Sequence, residues 1–473
     1  VALFIGRDEQ LRALDRLLGR VAADTGDKPG LAVLVRGRRR VGKSRLVEEF
    51  LARARVPSLY FTASTRTTTE ELRMFAEEAA SSALPGAATF ADVTLGSWDA
   101  ALRLLATAVP EDGPCVVVID ELPYLIASDP SFEGTLQKLF DRVLSRRRVL
   151  LIGIGSDLAM MEALNTYGRP FHQRATEMVI PPLGPAEVAT MLGLEPAEAF
   201  DAYLITGGLP LVCAEWPSGM SMWDYLRDAV NDSTSALVVS GERALAAEFP
   251  PAAQARLVLS TIGAGETTFA NIGRKAGDLR QASLNRSLTL LKDKRIVAGD
   301  QPLSTKAPAD SRYRVADPYL RFWLPFVGSH ISQIERGRGD LVLQRIRTSW
   351  TSWRGRAIEP VVRESLDRLS PTLFDGGVVG SYWTRSNDPE IDLVVADRGP
   401  VANVIIAAGS IKWLENKPFD AGDLAQLTTQ RSQLPGASDT TPLVVVSRTG
   451  ATVSGVTVLT PSDLLDGWQR HRA

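Results

Sequence analysis

The residues best equipped for chemistry sit in one short run, Gly37-Arg38-Arg39-Arg40-Val41-Gly42-Lys43-Ser44. Two glycines, a lysine and a hydroxyl at this spacing are a full match to the Walker A pattern. A loop of this kind turns successive backbone N–H groups and a helix N-terminus toward one point, which suits the phosphates of a nucleotide. The stretch Gly37, Arg38, Arg39, Arg40, Val41, Gly42, Lys43, Ser44 and Arg45 is therefore expected to contact ATP. Lys43 would reach the β and γ phosphates, and the Ser44 hydroxyl would complete a Mg²⁺ shell.

A second run, Val116-Val117-Val118-Ile119-Asp120-Glu121, ends an apolar stretch in two acids. Asp120 is placed to hold Mg²⁺ from its outer shell, and Glu121 to orient or deprotonate an attacking water. A third apolar run closes on Gly155-Ser156-Asp157; if its strand neighbours the other two, Ser156 lies beside the γ-phosphate. Ser156 also suits the N-cap of a helix starting at Leu158, and both roles can hold together. Arg169 and Arg174 flank His172 before the next strand. Arg174 is the candidate to stabilise charge on the transferring phosphoryl group, the alternative being an ordinary solvated arginine. His172 has no second histidine or cysteine at ligand spacing, so no metal role is expected.

Elements of a definite kind must position these residues. Leu31–Val35, Ser58–Phe61, Cys115–Ile119 and Val149–Ile154 are apolar runs without alternation, with helical patterns between them, as in strands covered on both faces of a parallel α/β sheet. The alternation fades near residue 180. Residues 183–250 read as mainly helical, interrupted where Gly207-Gly208-Leu209-Pro210 ends a helix. From 252 the pattern is three helices followed by short strands at 295–298 and 312–315, a winged-helix outline. Its third helix and flanks carry Arg280, Arg286, Lys292, Lys294 and Arg295. Arg280 and Arg286 would meet a DNA backbone, with Gln281 and Asn285 as base readers; the alternative is a module that only packs. After Pro371 strands return, forming a second α/β unit with a helix near 421–434.

Composition bounds the answer further. At 473 residues the chain exceeds one core, and 45% hydrophobic with 23% charged residues is the profile of globular domains rather than disorder. A formal net charge of −2 excludes a chain that coats nucleic acid by bulk charge and leaves only local basic surfaces. Cys115 and Cys213 lie in apolar stretches, which argues against a disulfide framework or a cysteine zinc site and for a reducing compartment. No apolar run reaches membrane-spanning length and no leader pattern is present, so the expectation is a cytoplasmic protein with no membrane contact. Val1 is an unusual first residue, which leaves room for a start upstream.

Phe4-Ile5-Gly6-Arg7-Asp8-Glu9, the loop 37–44, Ile119-Asp120-Glu121, Gly155-Ser156 and Thr206-Gly207-Gly208-Leu209-Pro210 together resemble the archaeal-type AAA+/STAND-related P-loop ATPases over about the first half of the chain. The resemblance implies that Gly6 and Arg7 lie against the nucleotide base and that the Gly-Gly-x-Pro segment belongs to a helical lid. The chain departs from the family at 169–174, where adjacent arginines are usual. Tyr313–Trp323 is similar to a connector that precedes a nuclease-like domain in such ATPases. Beyond it, Glu359 on a helix, Asp392 on a strand and Lys412 two residues after Ser410 follow the order of the PD-(D/E)XK nucleases. Ser410 stands where that pattern has an acid, and a hydroxyl is a poorer divalent ligand than a carboxylate. Glu390 or Glu415 are the acids available to complete the set.

These readings give a P-loop ATPase core over 1–182, a helical lid over 183–250, a winged helix over 251–326 and a nuclease-like domain over 327–473. The expected function is an ATP-hydrolysing, DNA-associated motor or switch with a degenerate nuclease-like tail. A STAND-type signalling switch that binds a protein partner is the alternative, and a small-molecule kinase ranks below both. DNA, further copies of the chain or a protein partner are the expected contacts, with ATP and Mg²⁺ as cofactors.

Overall fold

Residues 4–469, apart from 25, 165, 167–168, 170–173, 250–252 and 309, are described by the computed structural model. The chain divides into two compact units, 2–182 and 183–473. The first is built on β1 (Leu31–Arg36), β2 (Ser58–Thr62), β3 (Cys115–Asp120), β4 (Val149–Gly155) and β5 (Ala175–Val179), in spatial order β2-β3-β4-β1-β5 with every pair parallel. All residues of β3 and β4 are buried, which explains why their sequences do not alternate. Between β2 and β3, helices Thr68–Ala80 and Trp98–Ala108 bring Phe75 and Trp98 onto Phe61 at ring distances of 5.2 and 6.1 Å. Rings buried in this way contribute about 0.5–1.5 kcal/mol per pair beyond their area.

The second unit begins with helices Pro185–Leu192, Pro196–Thr206, Pro210–Ala214, Met222–Asn231 and Ala236–Glu248. The glycine pair between the second and third of these has a steric cause. Gly207 and Gly208 both have positive φ (59° and 66°), and a Cβ at Gly208 would lie 1.8 Å from the Leu183 carbonyl oxygen. Helices Gln254–Gly263, Phe269–Lys275 and Gln281–Asp293 follow, then the antiparallel pair β6 (Val297–Asp300) and β7 (Arg312–Val315). The aromatic connector becomes helix Pro318–Phe326, capped by Asp317 and seated by Tyr319 Oη on the Leu237 carbonyl and Trp323 Nε1 on that of Val238.

A 35-residue helix, Gly339–Leu373, then leads to a mixed sheet of β8 (Val378–Trp383), β9 (Glu390–Ala396), β10 (Ile405–Lys412), β11 (Leu443–Ser447) and β12 (Thr457–Leu459). Their order is β12-β11-β10-β9-β8, antiparallel from β8 to β10 and parallel from β10 to β12. The chain is thus α/β, with a five-stranded parallel P-loop sheet and a separate C-terminal mixed sheet. Among the described residues no helix is long and apolar enough to cross a membrane.

Candidate functional site

In the first unit, β4 lies between β1 and β3, so the loop after β1, the acids after β3 and the serine after β4 leave one edge of the sheet together. Carboxyl-terminal strand ends are where open α/β sheets bind ligands. Gly42 enters helix Lys43–Ala54 with φ 86°, a left-handed backbone that opens the first helical N–H groups toward the loop. Lys43 is buried and turns back over the loop. Its Nζ donates to the carbonyls of Gly37 and Arg38, each at 2.9 Å, and to Ser156 Oγ at 3.1 Å. Ser156 Oγ in turn donates to Glu121 Oε1 at 2.9 Å. One hydroxyl therefore joins the lysine of the first motif to the acid of the second.

Burial lowers the Lys43 ammonium to about 8, a shift that Glu121 and Asp120 oppose and Arg39 reinforces. Glu121 itself has left-handed backbone, φ 54°, which costs a non-glycine residue about 1 kcal/mol or more and is typical of functional turns. Asp120 accepts from its neighbour's Glu121 N–H at 2.9 Å and from Tyr60 Oη at 2.7 Å. Burial and that donation raise the Tyr60 phenol. Tyr60 was not singled out by the sequence, because its relation to Asp120 exists only through the pairing of β2 with β3.

The other expected contacts occupy different places. Arg39 reaches Tyr124 Oη at 2.7 Å. Arg40 has φ 69° within the loop. Arg45 faces outward on its helix toward Glu48 and Glu49, at 3.5 and 3.9 Å. Gly6 has φ 77°, and the buried Arg7 donates to the Val41 carbonyl at 3.0 Å and to that of Pro181 at 2.7 Å, so it pins the phosphate loop from behind. Arg174 is held on Asp141 at 2.9 Å and Arg169 on Glu133 at 2.6 Å. His172 lies outside the described residues.

In the second unit, Glu359 and Asp392 line one cavity of about 240 Å³, together with Glu390, Arg363 and Trp383. Arg363 Nη1 joins the two acids, 3.4 Å from Glu359 Oε2 and 2.9 Å from the Asp392 carbonyl oxygen. Burial lifts Glu359 to about 7, against the pull of Arg363 and helped by Asp392. Burial also raises Asp392, although the Ile411 N–H at 3.0 Å and Ser410 Oγ at 3.1 Å both donate to its Oδ2. Ser410 and Lys412 lie on β10 itself, whose last residue is Lys412. Lys412 Nζ is paired with Asp423 at 2.5 Å, and Glu415 with Arg354 at 2.7 Å. Among the described residues no group of three or more His, Cys, Asp or Glu side chains is arranged to hold a metal ion. On helix Gln281–Asp293, Gln281, Asn285 and Arg286 are exposed, as is Arg280 before it, whereas Lys294 is paired with Glu248 at 2.5 Å.

Comparison with known proteins places both halves of the chain. Over 92% of its length it is 22% identical to an uncharacterized protein of Methanocaldococcus jannaschii, covering 93% of that protein. The Walker-type ATPase of Pyrococcus abyssi is 20% identical, with 68% of this chain and 96% of that one aligned at a TM-score of 0.47. The ORC2 protein of Aeropyrum pernix, in its ADPNP and ADP complexes, is 16% identical over 70% of this chain and 94% of that one, also at 0.47. Residues 323–422 match a family described as archaeal and bacterial proteins of unknown function. Residues 3–152 match the AAA ATPase domain, so the chain carries such a domain around its Walker motifs.

Proposed function

We propose that this protein binds and hydrolyses ATP and uses its nucleotide state to govern contact with DNA. The observation that carries the first part is the unbroken line Lys43–Ser156–Glu121 beside Asp120. Lys43 rests on two neutral carbonyls, and a phosphate oxygen makes a charge-assisted bond roughly twice as strong, so the ammonium can transfer to a nucleotide. Ser44 and Asp120 would hold Mg²⁺, whose charge offsets that on the β and γ oxygens. Glu121 is positioned to orient the attacking water, and Ser156 ties its carboxylate to the lysine that senses the phosphate. Arg174 would have to leave Asp141 to act on a phosphoryl group.

The test is a pair of variants. Lys43→Ala should weaken ATP binding at least about 100-fold, whereas Glu121→Gln should keep ATP affinity and lose turnover by about 10²–10⁴, the usual contribution of a positioned base. Unchanged hydrolysis in both would remove the assignment.

The DNA part rests on the three helices with β6 and β7, whose Arg280 and Arg286 face solvent beside Gln281 and Asn285. A switch that docks a protein through its tail is the second reading, favoured by Ser410 in place of an acid and by Lys412 already being paired with Asp423 and Glu359 with Arg363. A steep fall of DNA affinity with salt supports the first; no DNA affinity at low salt supports the second.

A further inference from the structure

We infer that the second unit holds a single-stranded nucleic acid, DNA or RNA, in a cleft between the helix–strand module and the β8–β9 turn. The inference rests on the reading of that module as a nucleic-acid contact and names the form of nucleic acid it takes. The cleft measures about 860 Å³ and is lined on one side by Phe269, Gln281 and Asn285, and on the other by Thr384, Arg385 and Asn387. Tyr313 and Tyr382 line it as well. Both walls belong to one compact unit, and the Leu303 N–H, donating to the Ser381 carbonyl at 2.8 Å, ties one to the other.

The position of Gln281 and Asn285 decides against a duplex. A helix that reads duplex DNA enters a major groove about 12 Å wide and about 8.5 Å deep, its N-terminal residues foremost. Here those residues look across a cleft at the β8–β9 turn, so a duplex reaching them would have to displace that turn. A single strand needs only room for its backbone and faces for its bases. Phe269, Tyr313 and Tyr382 are each partly exposed, as stacking platforms must be. The lining cations Lys306, Arg312 and Arg385 outnumber its one acid, Asp310. Amides and hydroxyls of Gln281, Asn285, Asn387 and Thr384 supply partners for base edges.

Arg312 gives the cleft a direction. It lies 4.5 Å over the Trp383 ring, is paired with Glu390 at 2.5 Å, and lines both this cleft and the smaller cavity of Glu359 and Asp392. A phosphate entering the cleft can replace Glu390 on the guanidinium, because planar bidentate recognition of phosphate is what that group does best. The strand would then pass the wall that the two cavities share.

The experiment measures anisotropy of labelled oligo-dT, oligo-U and a blunt hairpin duplex of matched length on the full chain. Both single strands should bind at least about tenfold more tightly than the duplex. Tyr382→Ala and Phe269→Ala should each weaken single-strand binding about tenfold, and Tyr382→Phe should restore it, which separates stacking from loss of fold. Arg385→Ala, at a solvent-facing position, should lower the single-strand salt slope by about 0.7. A difference between oligo-dT and oligo-U still supports the cleft and names its natural occupant. Equal or tighter duplex binding that ignores the cleft variants overturns the inference and leaves DNA contact through Arg280 and Arg286 standing. Absence of binding to all three probes overturns both.

Discussion

Two serines in this protein stand next to a carboxylate and a lysine, and their surroundings give them opposite roles. Ser156 donates to Glu121 and accepts from Lys43, so acid and cation face one another across a hydroxyl and stay available to a third party. Ser410 donates to Asp392, yet Lys412, two residues along the same strand, is turned to Asp423 instead. In the first site the lysine is held by neutral oxygens, which a phosphate can replace. In the second, a carboxylate holds the lysine, an arginine holds Glu359, and the Asp392 carboxylate accepts from the Ile411 N–H and the Ser410 hydroxyl. Residue types alone do not set the two clusters apart; the charge of the partners does.

The largest effect that could sharpen this contrast is the pH dependence of ATP binding. Lys43 lies near 8 in the folded chain, below its ordinary 10.5, so it loses its proton within the site as pH rises past about 8. A phosphate binds the charged form, and affinity should fall up to tenfold per pH unit above that point, about 15-fold from pH 8 to pH 9.5. Calorimetric titration of ATP with Mg²⁺ across this range checks it, and a flat dissociation constant would mean the lysine is not the phosphate's partner.

Next in size is the Ser410→Glu variant, which puts a carboxylate beside Asp392 and Glu359. Wild type should show no Mg²⁺- or Mn²⁺-dependent nicking of plasmid above background, and Ser410→Glu should gain roughly tenfold or more, lost again when Asp392→Ala is added. Rapid wild-type cleavage that needs Asp392 would erase the contrast by making both sites active.

The smallest effect concerns stability. Glu359 is raised from its ordinary 4.5 to about 7, so between those values the folded chain keeps the proton that the unfolded chain releases, and above 7 it holds a charge in a confined cavity. Glu359→Gln should therefore stabilise the second unit above pH 7 by roughly 1 kcal/mol, about 2 °C in Tm, with the gain shrinking as pH falls and gone below about pH 4. A gain that is independent of pH would show that packing, not charge, limits this position.

What could be read from the amino acids follows the range of the interactions. The phosphate loop was legible because Gly37, Gly42, Lys43 and Ser44 act within one turn of chain, and the break after Thr206 because two glycines and a proline are local signals. Ser156 was legible only conditionally: its meeting with Lys43, 113 positions earlier, depends on β4 lying beside β1. Tyr60 and Lys412 were opaque in their partners, since Asp120 and Asp423 reach them through strand pairing and helix packing that no spacing encodes. Strand ends are hard to read where polar residues continue the ladder, as Ser410 and Lys412 do on β10.

One buried junction bears on how this molecule can change over time. Arg354, 1% exposed, is bonded to Asp201 at 3.0 Å and to Glu415 at 2.7 Å, while Asp201 also accepts from Arg448 at 2.9 Å. Helix Pro196–Thr206 thus carries a carboxylate whose partners come from the long helix and from beyond β11. An exchange of genetic material that replaced the tail and kept the helices before it would strand that carboxylate without its cations, at a cost of about 3–5 kcal/mol. Residues 183–473 are in this sense a single hereditary piece, whose tail is not free to be swapped for another.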